Sequence, residues 1–180
     1  MEFLTGLWLP VLGEDLIVRY RFLPNGTVRL LQRLRNRLLR LRTWSFRTFY
    51  GMDLSPDVRV SFKARLDKTN PRALTIGSQT YVAFAAIILT HDFSTARFAT
   101  DFDGRTTIGA HCFIGAGSII LPGVTVGDHS VVGAGAVVSS DVPACSLVVG
   151  NPARVVRTGI MTQGHGVIID RGQPVRSDAA

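Results

Sequence analysis

An aliphatic residue recurs at every sixth position through the second half of this chain. The series is Ile108, Ile114, Ile120, Val126, Val132 and Val138, and a small or modest side chain follows each member by four residues: Cys112, Ser118, Val124, Ser130, Ala136 and Val142. A helix repeats at about 3.6 residues and a strand at about two, so neither has this period. A solenoid does, when three hexads complete each triangular coil and the aliphatic side chains stack inside it. The repeat therefore predicts a mainly β solenoid.

The repeat is interrupted twice before it becomes regular. It starts at Leu54, Val60 and Leu66, stops at residues 69–72, and resumes at Ile76, Val82 and Ile88. Ile108 lies 20 positions after Ile88, which is not a multiple of six. We therefore expect residues 92–105 to leave the wall as a loop. Insertions of this kind typically form the working face of a repeat protein.

Positive charge is concentrated before the repeat. Residues 16–52 contain nine arginines and no acidic residue, while the whole chain has a net charge of +7. After a turn signal at residues 24–26, leucines at helical spacing with arginines on another side predict a basic amphipathic helix over residues 27–42. An aromatic run follows as far as residue 50. Either this 27–50 segment covers the open end of the solenoid, or it makes peripheral contact with an anionic membrane surface or glycolipid.

Cysteine usage and hydropathy bear on the compartment. Two unmatched cysteines favour a reducing environment over a disulfide framework. Residues 1–10 have neither a basic start nor a small-residue cleavage site, and no apolar stretch reaches about 18 residues. We therefore expect a cytoplasmic protein, which could lie peripherally at the inner face of the membrane. We expect no nucleic-acid partner. Residues 158–180 are expected to be an extended, peripheral tail.

Four stretches in the second half resemble the hexapeptide-repeat acyltransferases, and they occur in that family's order: Leu121–Asp128, Val132–Val138, Asp141–Pro143 and Gly150–Arg157. The branch that looks nearest is that of the sugar and polysaccharide O-acetyltransferases. The resemblance implies a left-handed parallel β-helix over residues 53–157, with a basic helical segment before it (1–52). It also implies acetyl-CoA as the co-substrate and a homotrimer.

His91 is the candidate catalytic residue. It lies where the third hexad of a coil gives way to the 92–105 loop. An imidazole there is suited to take the proton of a substrate hydroxyl as that hydroxyl attacks a thioester. The resemblance places the family's catalytic histidine at this position. Asp92 is a candidate to orient the ring, although adjacency in sequence does not place its carboxylate on the imidazole.

The resemblance also suggests where the two substrates bind. The pantetheine arm of the donor would lie between coils at Ala116 and Ala134, and four further residues would meet its phosphates: Ser139, Ser140, Arg154 and Arg157. The 92–105 loop is the candidate acceptor site, because its aromatic and charged residues suit a sugar: Asp92, Phe93, Arg97, Asp101 and Asp103. The same mixture is ordinary for an exposed loop, so both interpretations stay open.

A metal site and a covalent mechanism are both disfavoured. His111 and His129 are one coil apart and should stack about 4.8 Å from each other. The carbonic anhydrases of this fold bind zinc with three histidines and need a closely spaced pair that is absent here, so we expect no metal. Cys112 falls on an interior position, which favours direct transfer over an acyl-enzyme.

The hypothesis that the sequence favours is an acetyl-CoA-dependent O-acetyltransferase acting on a saccharide hydroxyl in surface polysaccharide biosynthesis. Its rivals are an N-acetyltransferase acting on an amino sugar or drug, and a noncatalytic trimeric scaffold that associates with membranes.

Overall fold

The computed structural model describes residues 25–92 and 105–175, with side chains from residue 30 onward. Within these ranges it contains helix α1 (Asn25–Tyr50), a short 3-10 helix (Pro71–Ala73) and a series of short strands. Coil by coil the first twelve strands are β1 (Asp53–Leu54), β2 (Arg59–Val60), β3 (Arg65–Leu66); β4 (Leu74–Ile76), β5 (Tyr81–Val82), β6 (Ile87–Ile88); β7 (Thr106–Ile108), β8 (Phe113–Ile114), β9 (Ile119–Ile120); β10 (Thr125–Val126), β11 (Val131–Val132), β12 (Val137–Val138). Five more follow: β13 (Ser146–Val149), β14 (Arg154–Thr158), β15 (Met161–Gln163), β16 (Val167–Asp170) and β17 (Gln173–Pro174).

Corresponding strands of successive coils pair in parallel and form three walls. One wall has the order β1-β4-β7-β10, the second contains β2-β5-β8-β11-β13, and the third is β3-β6-β9-β12. Each coil therefore contributes one strand to every wall, which makes a triangular parallel β-helix. The six-residue repeat follows directly, because one strand and one corner together consume six residues.

The interior is the aliphatic stack that the repeat predicts. Leu54, Ile76, Ile108 and Val126 lie in register on one wall and are at most 2% exposed. The six residues that follow the aliphatic positions by four, from Cys112 to Val142, are at most 4% exposed. Both predicted series are thus confirmed as core positions.

Glycine after an aliphatic position lets adjacent coils approach closely. A Cβ at Gly115 would lie 2.5 Å from the carbonyl oxygen of Val132 and 2.6 Å from the nitrogen of Ala134. These atoms belong to the backbone of the next coil and cannot rotate away. Any larger residue would therefore force the two coils apart.

The spacing between paired coils changes along the prism. Coils 3 and 4 are offset by 18 residues, as in the pairing of Ala110 with Asp128. Coils 1 and 2 are offset by 22 residues, and coils 2 and 3 by 32. Both insertions leave the wall at the same corner, after β3 and after β6. The 32-residue offset agrees with extra residues after Ile88, and the predicted 92–105 loop stays a prediction because residues 93–104 lie outside the described ranges.

Helix α1 is longer than the sequence predicts, because it continues through the aromatic run to Tyr50. The chain divides into two compact units between Arg37 and Leu38. In the second unit Leu39, Thr43 and Phe46 are buried at 3%, 0% and 6% exposure. The Thr43 hydroxyl donates to the carbonyl oxygen of Val58 at 2.8 Å, so this face of the helix packs on coil 1.

The segment after residue 157 differs from the expected peripheral tail. β14 pairs antiparallel with β13 and β17, and β15 and β16 form a hairpin. Ile160 is fully buried, and Thr162, at 3% exposure, donates its hydroxyl to the carbonyl oxygen of His111 at 2.6 Å. Burial of Ile160 and the bond from Thr162 hold the hairpin along a corner of the prism. In the part of the chain described here, no helix has the length and apolarity needed to cross a bilayer.

Candidate active site

His91 lies three residues beyond β6, where the chain leaves the wall. The preceding residue, Thr90, is fully buried and anchors the exit to the prism. The Thr106 hydroxyl of the next coil donates to the carbonyl oxygen of Leu89 at 2.7 Å, which fixes the exit from the other side. The imidazole itself is 19% exposed. It therefore stands at the surface, on a backbone that the core holds in place.

Asp67 is the residue that holds the imidazole. It follows β3 at the same corner, one coil earlier, and its side chain is only 4% exposed. Its Oδ1 accepts the N–H of Thr69 and its Oδ2 accepts the N–H of Thr90, both at 2.9 Å. Oδ2 is also in short contact with Nδ1 of His91. The carboxylate thus connects the two insertions directly.

The charge state of Asp67 follows from these contacts. Burial by itself raises the pKa of a carboxyl group, but the N–H groups of Thr90 and Thr69 and the His91 imidazole outweigh it and hold the pKa of Asp67 below its ordinary value. At neutral pH the carboxylate is ionised and only accepts hydrogen bonds. Nδ1 of His91 must therefore carry the hydrogen, which leaves the lone pair of the neutral ring on Nε2.

The orienting carboxylate is the functional residue that the sequence interpretation missed. Asp92 was the candidate for that role, but the partner of Nδ1 is Asp67, 24 residues before His91. A signal was present in the sequence. Both residues follow the third strand of a coil immediately before an interruption of the repeat, so they share a corner once the coils are in register.

The positions suggested for the pantetheine arm lie next to each other. Ala116 and Ala134 occupy the same corner of adjacent coils, and the N–H of Gly135 donates to the carbonyl oxygen of Ala116 at 2.9 Å. Gly117 and Gly135 adopt positive φ angles of 65° and 68°, and an added Cβ at either would meet nothing within 4 Å. This corner is consequently open along the prism.

The residues suggested for the donor phosphates are only partly brought together. Ser140 and Arg154 line one cavity of about 380 Å³ at the end of the prism, together with Asp141. Ser139 is exposed next to Ser140. Arg157 lies on β14, where its guanidinium donates to the carbonyl oxygen of Arg171 at 3.3 Å, and it does not line that cavity.

Of the acceptor residues only Asp92 lies within the described ranges, where it is partly buried. Phe93, Arg97, Asp101 and Asp103 lie outside the described residues.

The two corner histidines stack as expected. The ring centroids of His111 and His129 are 4.8 Å apart and the ring planes differ by 1°. Nδ1 of His129 lies 3.0 Å from the carbonyl oxygen of Thr162, so the C-terminal hairpin engages this stack. Among the described residues, no group of three or more His, Cys, Asp or Glu side chains is arranged to hold a metal ion.

Cys112 is a core residue, as predicted. Its thiol is fully buried and donates to the carbonyl oxygen of Gly127 at 3.2 Å. Burial raises the pKa of Cys112 to about 11. The thiol is thus protonated at neutral pH and unsuited to nucleophilic attack.

Comparison with known proteins agrees with this fold. Residues 105–140 match the family model described as the hexapeptide repeat of succinyl-transferase. YvoF of Bacillus subtilis (strain 168), whose name assigns it provisionally to the acetyltransferases, is 33% identical over 118 residues, 66% of this chain and 67% of YvoF. Nodulation protein L of Rhizobium leguminosarum bv. viciae is 50% identical over 91 residues. That match covers 48% of each chain, about half the length of the relative.

A solved acetyltransferase structure superimposes on this fold. The maltose O-acetyltransferase from Clostridium difficile 630 superimposes with a TM-score of 0.51 and 26% sequence identity, over 81% of this chain and 89% of that one. The chain therefore belongs to the hexapeptide-repeat acyltransferase family, with its left-handed parallel β-helix fold. It is an acyltransferase, and the names of YvoF and of the Clostridium difficile protein refer to acetyltransferases.

Proposed function

We propose that this protein is an acetyl-CoA-dependent O-acetyltransferase that modifies a saccharide hydroxyl, with His91 as the general base. The observation that carries the proposal is the contact between the Asp67 carboxylate and Nδ1 of His91, on a partly exposed ring. A buried carboxylate at Nδ1 gives the imidazole one orientation and one neutral tautomer. Both are needed by a base that must act through Nε2.

In the proposed reaction, Nε2 of His91 takes the proton of the acceptor hydroxyl while the hydroxyl oxygen bonds to the thioester carbonyl carbon. Asp67 stabilises the imidazolium that forms. The tetrahedral intermediate then collapses, the carbon–sulfur bond breaks, and the imidazolium returns its proton to the thiolate of CoA. Atoms and charge balance with no enzyme nucleophile, in agreement with the protonated, buried Cys112.

The donor is proposed to lie along the open corner at Ala116 and Ala134. Small side chains there let an extended pantetheine arm reach backbone groups of the wall. Ser139, Ser140, Arg154 and Arg157 are proposed to contact the phosphates, for which guanidinium groups are suited. Arg157 would have to release the carbonyl oxygen of Arg171 to do so.

The acceptor is proposed to be a sugar held by Asp92 and the loop after it, in surface polysaccharide biosynthesis at the cytoplasmic side of the membrane. Sugar acetylation is supported by the maltose O-acetyltransferase likeness. We also propose the homotrimer that the family resemblance implies, which sedimentation equilibrium would check.

The test is CoA release from acetyl-CoA with panels of hydroxyl sugars, polysaccharide fragments and amino sugars. His91→Ala should lower kcat by about 10²- to 10⁴-fold, the usual contribution of a general base. His111→Asn is the matched control, because asparagine tolerates the positive φ of 57° at that position.

Equal activity of His91→Ala and wild type would refute the catalytic assignment. Transfer to amines in preference to hydroxyls would make the protein an N-acetyltransferase. Release of no CoA with any acceptor would favour the noncatalytic scaffold.

A further inference from the structure

We infer that the outward face of helix α1 docks on an anionic lipid bilayer. The packing of the helix in the second compact unit defines this face. Leu39, Thr43 and Phe46 are buried on one side of the helix. The Thr43 hydroxyl bonds to Val58 of coil 1 and Phe46 belongs to the core cluster, so the opposite side of the helix points away from the prism. Two guanidinium hydrogen bonds from Arg42, to the carbonyl oxygens of Phe62 and Ala64, hold the helix in this rotation.

The part of this helix that does not pack on coil 1 carries large apolar side chains where solvent would favour polar residues. Leu38, Leu41, Trp44 and Phe49 are 44%, 60%, 53% and 72% exposed. Trp44 and Phe49 pack edge to face on each other, with ring centroids 5.7 Å apart. An exposed ridge of four large apolar side chains is typical of an interaction surface. Tryptophan in particular is enriched where proteins meet the headgroup region of a bilayer.

Arginines flank the ridge, and their positive charge favours an anionic partner. Arg40 and Arg47 are exposed and two helical turns apart, so they lie on one side of the ridge. Helix α1 as a whole contains seven arginines and no acidic residue. The segment before Leu38, taken by itself, shows the same combination, with Leu30 and Leu34 exposed at 63% and 52% and with Arg33 and Arg37 also exposed.

An anionic membrane fits this combination better than a second copy of the chain. Two such helices packed side by side would bring like charges together with no carboxylate to pair them. A helix with leucine and tryptophan on one side and arginines beside them is the form that lies in the plane of an anionic interface. The inference is independent of the acetyl-transfer proposal.

The test is co-sedimentation of the full chain with phosphatidylglycerol/phosphatidylcholine vesicles and with pure phosphatidylcholine vesicles. We expect binding to the anionic vesicles only, weakening as salt is added. Arg40→Gln/Arg47→Gln should lower the affinity about 25-fold, because each basic residue near the surface contributes about fivefold. Trp44→Ser should also weaken binding while leaving its salt dependence in place.

The matched control is Arg65→Gln/Arg171→Gln, which removes the same charge from exposed positions outside the helix. It should bind as wild type does. Neither arginine pair should change CoA release with a soluble acceptor, so failure of docking and failure of catalysis are distinguishable.

Each of the following results would overturn the inference. They are equal binding to neutral vesicles, equal losses in both arginine pairs, and self-association that Trp44→Ser abolishes while no vesicle binds. Binding of polyuridylate that Trp44→Ser leaves unchanged, without vesicle binding, would assign the arginines to nucleic acid and also overturn it.

Discussion

Histidine and aspartate occur both in the regular coils and at the interruptions of the prism, but their roles differ between the two regions. Between coils 3 and 4 the offset is 18 residues, and equivalent side chains such as His111 and His129 repeat in register. At the ends of coils 1 and 2 extra residues leave the wall, and there Asp67 and His91 meet. Regularity supplies the scaffold, while the two interruptions create an asymmetric, reactive arrangement.

Two aspartates make this contrast specific. Asp128, in the regular part, is exposed, and its Oδ1 accepts the N–H of Ala110 at 2.7 Å. Asp67 is buried, and each of its oxygens accepts a backbone N–H. An asparagine at position 128 can keep this hydrogen bond through the amide oxygen. An asparagine at position 67 would point its NH₂ group at the N–H of Thr69 or of Thr90 in either orientation of the amide.

The largest effect that separates the two regions is expected in activity. Asp67→Asn should lower kcat about 10- to 100-fold, because the imidazole loses its orienting acceptor. KM for acetyl-CoA should not change, because Asp67 is not among the residues proposed to contact the donor. Steady-state CoA release measures both parameters.

Asp128→Asn is the control and should retain the wild-type kcat. If the two variants lost activity equally, or if Asp67→Asn changed only KM, Asp67 would not be a positioning residue.

Gly115 and Gly117 lie in the same corner of coil 3, and replacing each with alanine should lower the free energy of unfolding by different amounts. Gly115→Ala should lower the free energy of unfolding by about 2–3 kcal/mol, because its Cβ collides with the next coil. Gly117→Ala meets no neighbour and costs only the left-handed backbone, about 1 kcal/mol. Urea unfolding followed by circular dichroism gives both values, and equal losses would show that close coil packing is not the cause.

The pH dependence of stability tests the charge of Asp67. A carboxyl whose pKa is lowered on folding stabilises the protein above its unfolded pKa of about 3.9, and this contribution is lost as the pH falls through the lowered folded value. The gap in unfolding free energy between wild type and Asp67→Asn should therefore narrow as the pH falls below about 4. Urea titrations at each pH measure it. A gap that stays constant down to about pH 3 would contradict an ionised Asp67.

The smallest effect concerns the two thiols. Cys112 is buried, with its pKa raised to about 11, whereas Cys145 is partly exposed. In the native protein a thiol reagent should modify Cys145 readily and Cys112 only after unfolding. Peptide mass spectrometry of the labelled protein identifies the sites, and rapid modification of native Cys112 would show that the core is open.

The sequence was sufficient for the wall because the fold is periodic. Each hexad specifies its own strand, corner and interior residue, so Ile108 or Cys112 could be placed without knowledge of the rest. The His111–His129 stacking distance followed from the same regularity.

The repeat could assign Asp67 to the corner of His91, but it could not assign the contact between their side chains, because that contact depends on the conformation of the residues that leave the wall after β3 and β6. The hairpin at β15 and β16 was missed for a related reason. Burial of Ile160 comes from docking on a surface, which leaves no repeat in the segment itself.

The central claim is that Asp67 holds the hydrogen of His91 on Nδ1, so that Nε2 is the basic nitrogen. Nitrogen-15 NMR of histidine-labelled protein, at a pH where the imidazole is neutral, tests it directly, with His91→Asn used to assign the signal. We predict a protonated Nδ1 and an unprotonated Nε2 in the wild type, and loss of this preference in Asp67→Asn. A hydrogen on Nε2 in the wild type would contradict the account.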